Sequence, residues 1–406
     1  MGIEKNLMIE ATDRGWTELE GYVCPDCVED EYLKDIIRDN ACSQECVYCG
    51  RKTDEDFAAP LAHLIEAIGN AVFTWFDNPE NAGGFWDGED NNYFGIDAID
   101  IKEVLNSFPL ECNQQLFEVI AGSFVNDQWV ETAGGSIYGS HPHELMSYAW
   151  ERFIEIVKHE PRYFFQRTTS DIANEVDDYE VEEQTHYKPE NFLPTLGELT
   201  KKLRLLDTLQ TSETLYRARP KKPGESFDLN AKELGATPSQ KAGSGRMNPA
   251  GISYMYLSFE QETALAEVCQ GDQLVRAAIG QFETKREIKV LDLTNLPEKP
   301  SIFDTQRYEE LVALFFIDEF VKEITKPVLK DGSEHIEYVP TQVVSEYFAS
   351  VFQLPDGKLL DGIKYPSAVS SGRHNLVLFP TERSSESMFD QVEFQDGWDY
   401  PVCQPE

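Results

Sequence analysis

Two Cys-x-x-Cys pairs, Cys24-Pro-Asp-Cys27 and Cys46-Val-Tyr-Cys49, stand eighteen residues apart and constrain this chain more than any other feature. Thiolates at such spacing close a tetrahedron around one zinc ion. Five of the eight cysteines crowd between Cys24 and Cys49, while Cys112, Cys269 and Cys403 are isolated. Clustered pairs of this kind speak for metal rather than disulfides when the chain stays in a reducing compartment. Cys42 is a fifth candidate, but the two pairs give the simpler ligand set. Four thiolates leave no open coordination position, so the expected zinc is structural.

The loop between the pairs, VEDEYLKDIIRDNACSQE, is acidic, and so is the chain as a whole. It has 35 basic and 73 acidic residues among 406, a formal net charge of -38. Such a surface repels nucleic acid and anionic membrane. Nucleic acid is therefore not an expected partner, and basic residues gathered in one place need a reason. The opening residues, MGIEKNLMIEATDRG, lack the apolar stretch of a signal peptide. No apolar run approaches the roughly 18 residues of a membrane span. The expectation is a soluble, cytoplasmic protein without membrane contact, assembled as a homo-oligomer.

Periodicity changes along the chain. Residues 1–55 hold the cysteines. Residues 56–170 read mostly as helix, through FAAPLAHLIEAIGNAVFTWF, DAIDIKEVLNSF, ECNQQLFEVIAGSFV and HPHELMSYAWERFIEIVKH. In the last of these, Leu145, Tyr148, Ala149, Phe153, Ile156 and Val157 form the expected packed stripe. Residues 171–204 make an acidic connector, too poor in apolar side chains at its start to offset the entropy of ordering, followed by a helix over TLGELTKKLRLLDTLQ. Residues 205–382 alternate strand candidates (LYRAR, MYLSF, LVRAAIGQFE, KVLDL and NLVLF) with helix candidates such as RYEELVALFFIDEFVKEI and PTQVVSEYFASVFQ. Residues 383–406 read as a loosely held acidic tail. The fold class is α+β: a zinc knuckle plus helical domain, then a mixed α/β domain.

Gly245 to Val268, GRMNPAGISYMYLSFEQETALAEV, carries most of the chemistry, with LYRAR before it and YPSAVSSGRHN after it. A pyrophosphate dinucleotide needs planar cations for bidentate contacts. Alternation along a strand puts Arg217 and Arg219 on one face. Arg246 sits in a glycine-rich loop whose backbone amides can approach a ligand, with Asn248 close by. Any one of these arginines is most simply a surface ion pair; three together in so acidic a chain suggest an anion. Glu267 lies in a helix among small apolar residues, on a different face from Glu262. A carboxylate there can stabilise an oxocarbenium-like ribosyl centre, as carboxylates do in glycoside cleavage. Tyr256 can stack on a base or ring, its bland alternative being a core aromatic. Ser367 can bond a ribose hydroxyl or orient the glutamate. Ser258 and Asn375 flank these positions as polar candidates.

In LYRAR, GRMNPAGISYMYLS, ETALAEV, EYVPTQVVSEYF and DGIKYPSAVSSGRHNLVLF, residues 205–380 resemble the RES family, named for its Arg, Glu and Ser. The resemblance implies an ADP-ribosyltransferase-like fold and an NAD-consuming toxin or defence effector that cleaves the nicotinamide–ribose bond. It implies Arg217 on phosphate or ribose, Tyr256 at the nicotinamide end, Glu267 on the ribosyl cation and Ser367 in support, with Arg219, Arg246, Asn248, Ser258 and Asn375 as further NAD contacts. It leaves hydrolysis, phosphorolysis and protein ADP-ribosylation open, and implies an antitoxin or a fused regulatory half as partner. Met247 stands where many members have Trp. The stretch VCPDCVEDEYLKDIIRDNACSQECVYCG is similar to the zinc-bearing, HEPN-like domain fused to some RES domains. HEPN ribonucleases use an Arg and a His four to six residues apart, and Arg152 and His159 have six between them, which returns them to nearly one helix face. His141 and His143 are a weaker metal candidate.

Overall fold

The computed structural model describes residues 11, 14–87, 92–93, 96–134, 136–160, 188–221, 225–226, 228–268, 275–328 and 332–379, and residues 389–400 through their backbone. The chain divides into two compact units, Met1–Glu144 with Glu298–Ala313 and Leu145–Pro297 with Leu314–Glu406. Among the described residues, no helix is long and apolar enough to cross a membrane.

In the first unit, strand β1 (Tyr22–Val23) pairs antiparallel with β2 (Ala59–Pro60). Helix α1 (Glu31–Asp39) starts at Asp30, whose carboxylate accepts the Leu33 amide at 3.0 Å and satisfies a donor that the first turn leaves unpaired. Helix α2 (Leu61–Trp75) is apolar nearly all round and buries nine residues, from Leu61 to Trp75. The region reads as helix in the sequence, yet it also holds β3 (Phe76–Asp77), β4 (Trp86–Asp87), β5 (Asn92–Tyr93), β6 (Ile99–Asp100) and β7 (Gln128–Glu131). Strands of two to four residues are too short to stamp a period of two on the sequence. Helices α3 (Ile101–Ser107) and α4 (Gln114–Ala121) complete the set, capped by Asp100 and Asn113.

Helix α5 (Pro142–His159) forms where expected, but its buried stripe is Met146, Ala149, Trp150, Phe153 and Val157. Tyr148, expected in the stripe, is 58% exposed. The ring stack of Trp150 on Phe153 and on Phe192 sets this rotation.

The second unit is built on a mixed sheet of eight strands in the order β15-β11-β9-β10-β14-β13-β12-β8. The strands are β8 (Leu206–Leu209), β9 (Thr214–Lys221), β10 (Met255–Ser258), β11 (Val275–Thr284), β12 (Ile288–Asp292), β13 (Gly362–Pro366), β14 (His374–Leu378) and β15 (Phe389–Tyr400). The β12–β13 pair is parallel and the other pairs are antiparallel. Around the sheet stand α6 (Phe192–Lys202), α7 (Ala231–Leu234), α8 (Gln261–Val268), α9 (Tyr308–Thr325), α10 (Glu334–Glu337) and α11 (Val339–Ser350). One sheet face packs Leu215, Met255, Leu257, Phe282, Val290 and Leu376 with Leu234 of α7. The opposite face packs Ala218, Ala277 and Ile279 against Ala264 and Leu265 of α8. Alternation along β10 therefore sends Tyr256 and Ser258 to the face that α8 covers.

Two sequence expectations change here. The helix expected through Gln210 stops at Lys202. Arg204 takes a left-handed φ of 57°, which ends a helix, and Leu206–Leu209 then pairs with β12. The tail expected to hang loosely over 383–406 supplies β15, whose Phe389–Tyr400 run along β11 with two register shifts. Its acidic side chains disguised it, but an edge strand holds by main-chain bonds and tolerates charge. Of the acidic connector, residues 171–187 lie outside the described residues.

Candidate active site

Glu267 stands near the end of α8, on the sheet face that carries Ser258 and Asn375. Its Oε1 accepts two hydrogen bonds, from Ser367 Oγ at 2.8 Å and from Asn375 Nδ2 at 2.6 Å. Each donor is held in turn. Asn375 lies opposite Ser258 in the β10–β14 register, and the Ser258 hydroxyl donates to Asn375 Oδ1 at 2.6 Å. That bond fixes which end of the amide faces the carboxylate. Ser367 Oγ accepts the Val369 and Ser370 amides at 3.3 and 3.1 Å, so its one hydrogen is aimed at Glu267. Among the described residues Oε2 has no donor. The carboxylate is thus oriented through one oxygen and free through the other.

Tyr256 is held by both ends. Its hydroxyl donates to Asn248 Oδ1 at 2.7 Å and accepts the Met247 amide at 3.0 Å. Its carbonyl accepts from Arg217 Nη1 at 3.1 Å. Burial pushes the Tyr256 hydroxyl well above its ordinary value, against the lowering pull of the Met247 amide and of the Arg217 and Arg246 charges. Burial also pulls Arg217 down to about 10, which still leaves it a cation at neutral pH. Tyr365 of β13 is buried directly opposite Asn375. Burial pushes its hydroxyl up, and the Glu267 carboxylate pushes it further.

The loop before β10 is clamped by α11. Gln342 Nε2 donates to Ser244 Oγ at 2.9 Å, to the Gly245 carbonyl at 2.7 Å and to the Asn248 carbonyl at 3.1 Å. Thr341 Oγ1 donates to the Arg246 carbonyl, and Ser345 Oγ to Met247 Sδ at 3.1 Å. Only glycine fits at 245, because a Cβ there would lie 2.5 Å from Asn248 Oδ1 and 2.8 Å from the Tyr256 hydroxyl.

A comparison with family profiles matches residues 214–402 to the RES domain and residues 39–171 to HEPN/RES N-terminal domain 1. The chain is a RES-domain protein. No protein of curated function matches it. The RES match runs from β9 through β15 and so takes in the last strand of the sheet.

Of the residues read from the sequence, the RES domain brings Glu267, Ser367, Asn375 and Ser258 into one bonded cluster, and links Tyr256 to Arg217 and Asn248. Asn248 spends its amide hydrogens on the Gly243, Pro249 and Ile252 carbonyls, so it holds the loop. Arg219 is taken up by Glu225 at 3.0 Å and Glu233 at 2.9 Å. Arg246 donates through Nη1 to the Ile324 and Lys326 carbonyls at the end of α9. Met247, at the position where many members have Trp, is 1% exposed and belongs to the core. Gln342, Thr341 and Tyr365 were not singled out in the sequence. Three polar residues on one side of α11, Thr341, Gln342 and Ser345, were the available signal.

In the first unit the Cys24, Cys27, Cys46 and Cys49 sulfurs all lie within 4.8 Å of one another. Cys24–Cys27, Cys24–Cys49 and Cys27–Cys46 are 3.7, 3.5 and 3.6 Å apart. Sulfurs placed ~2.3 Å from a tetrahedral zinc would be ~3.8 Å apart, so the four residues fit that ion. Burial pushes the Cys24 and Cys27 thiols up, and a divalent cation is what would let them ionise together. Arg51 donates to Cys24 Sγ at 3.5 Å and pairs with Asp26, adding positive charge at the rim. Cys42 is exposed and outside the cluster.

His141 and His143 stack on each other rather than chelate, their ring centres 5.8 Å apart. On α5, Arg152 is exposed and paired with Glu160 at 2.8 Å, and His159 is exposed.

Proposed function

We propose that this protein cleaves the nicotinamide–ribose bond of NAD, with Glu267 stabilising the oxocarbenium-like ribosyl centre. The observation that carries the reading is the one-sided tethering of Glu267: Ser367 and Asn375 hold Oε1, and Oε2 is left to face a developing positive charge. A carboxylate fixed in this way is preorganised, so little reorganisation is needed as charge develops. RES domains are associated with NAD-acting, toxin-like function, which supports the same substrate. Arg217 would meet the pyrophosphate, and Tyr256 would wall the nicotinamide end. Departure of nicotinamide breaks the glycosidic bond with its electron pair. Water, phosphate or a protein side chain then adds to the anomeric carbon and loses a proton.

In the cell such an enzyme would deplete NAD and stop growth, with the zinc-bearing N-terminal region as its regulatory half. Arg152 is engaged by Glu160, and among the described residues nothing around His159 adds a ribonuclease reading. Mass spectrometry of NAD incubated with the purified protein tests the proposal. Nicotinamide with ADP-ribose means hydrolysis, nicotinamide with phosphorylated ADP-ribose means phosphorolysis, and added mass on protein means transfer. Intact NAD after long incubation rejects the proposal.

A further inference from the structure

Ser258, Asn375 and Tyr365 form one row across β10, β14 and β13, each directly opposite the next in the register. Residues paired in this way project to the same sheet face, so the Tyr365 ring lies on the face that α8 covers. Its neighbours there are the two tethers of Glu267. Asn375 stands across from it and Ser367 two residues along, and both donate to Oε1. The Glu267 carboxylate is close enough to help keep the Tyr365 hydroxyl protonated.

Ser258 and Asn375 are bonded within the row and to Glu267. Tyr365 is not. It is 7% exposed, and its hydroxyl has no hydrogen-bond partner among the described residues. Nor is that hydroxyl sealed from solvent, as the indole N–H of Trp150 is, so a substrate atom can reach it. A buried tyrosine hydroxyl ordinarily finds a partner, and Tyr256 on the same face has two. The site therefore holds one donor without an acceptor, at Tyr365, and one acceptor without a donor, at Glu267 Oε2. They are not bonded to each other. A single hydroxyl group between them satisfies both, because it accepts from one and donates to the other. In a ribosyl group the hydroxyl next to the anomeric carbon is the 2′-hydroxyl. A carboxylate placed to stabilise that carbon has this hydroxyl within reach.

We propose that Tyr365 donates a hydrogen bond to the 2′-hydroxyl of the nicotinamide ribose of NAD, which in turn donates to Glu267 Oε2. Tyr365 is then the residue that selects a ribosyl over a 2′-deoxyribosyl substrate. This rests on the reading of the site as one that cleaves NAD. Tyr365 binds and orients the sugar and transfers no proton. A site that bonds a substrate hydroxyl in this way rejects the analogue lacking it, because the analogue leaves the buried donor unpaired.

Steady-state nicotinamide release by the full-length wild type and by Tyr365→Phe tests this, with NAD and with its analogue lacking the 2′-hydroxyl of the nicotinamide ribose. The variant should melt within about 2 °C of the wild type, because the hydroxyl it loses makes no bond to the described residues. Its kcat/KM for NAD should fall about three- to tenfold, the loss of one neutral hydrogen bond. Its kcat/KM for the 2′-deoxy analogue should stay within about twofold of the wild type. Comparing each substrate with itself cancels the analogue's own reactivity. An equal loss on both substrates overturns the proposal, and so does an unchanged kcat/KM for NAD. If the wild type binds NAD without releasing nicotinamide, the cleavage reading fails on its own. Dissociation constants for the same four pairs, from isothermal titration, then decide the role of Tyr365 by the same ratios. NAD neither bound nor cleaved overturns both.

Discussion

Replacing Ser367 with alanine removes a single hydroxyl from the support of Glu267. That hydroxyl donates to Oε1 at 2.8 Å and is itself held by the Val369 and Ser370 amides. A hydrogen bond to a charged group contributes about 1.5–3 kcal/mol, and 1.36 kcal/mol is tenfold in rate. The full loss would be about 10- to 150-fold in kcat/KM. Asn375 still grips Oε1 at 2.6 Å, so the carboxylate keeps one tether and the expected loss is at the lower end, about 10- to 30-fold. The effect should fall on kcat, because Ser367 acts by aiming the carboxylate and not by holding the substrate. Stability should barely change. Val369 is exposed and Ser370 half-buried, so water can replace Oγ on both amides, and Tm should fall by no more than about 4 °C. The assay is steady-state nicotinamide release, with Ser367→Thr as the variant that restores the hydroxyl. Wild-type kcat in Ser367→Ala, beside an inactive Glu267→Ala, would refute the orientation argument.

Three further predictions bear on the scaffold. Plasma mass spectrometry should find one zinc ion per chain and none in Cys27→Ser; a metal-free wild type with the same melting curve would contradict the knuckle. Gln342→Leu strands the Gly245 carbonyl, while the Asn248 carbonyl keeps the Gly245 amide at 2.9 Å, and should cost about 1–3 kcal/mol of stability; it should raise KM for NAD more than it lowers kcat, and unchanged kinetics would remove the clamp from the account. His141 is 3% exposed, with Nδ1 at 2.7 Å from the Tyr308 hydroxyl and Nε2 unpartnered among the described residues. Burial lowers its pKa, the Glu144 charge raises it and His143 lowers it. The folded ring stays neutral while the unfolded one takes up a proton below a pH of about 6.5, so its stabilising contribution is present above that pH and lost as pH falls through the folded value. The urea midpoint should drop from pH 7.5 to 5.5, and His141→Phe should flatten that slope; an identical slope in both would exclude His141 as the cause.

What could be read from the sequence follows from how local each signal is. The four-cysteine cluster was legible because each pair spans only four residues and its spacing is its geometry. Glu267 and Ser367 were legible as members of ordered motifs, although a hundred residues separate them. Asn375 was legible as a polar candidate but not as the second tether of Glu267, since that role exists only once β10 and β14 fix their register. Gln342 was hidden because its partners are backbone carbonyls, which leave no trace in the side-chain pattern. Arg219 shares a face with Arg217 as alternation requires, yet Glu225 and Glu233 claim it, and pairing of that sort depends on the turn between them. The β15 strand was missed because charge was read as solvation, while main-chain pairing to β11 is indifferent to it.

The central claim is that Glu267, held through Oε1, drives cleavage of NAD at the ribosyl carbon. Nicotinamide released from NAD, measured side by side for the wild type and for Glu267→Ala with matched melting curves, tests it most directly. The account predicts steady release by the wild type and a loss of at least about 100-fold in the variant, some 2.7 kcal/mol of transition-state stabilisation. Equal release by both proteins, or none by the wild type, would contradict it.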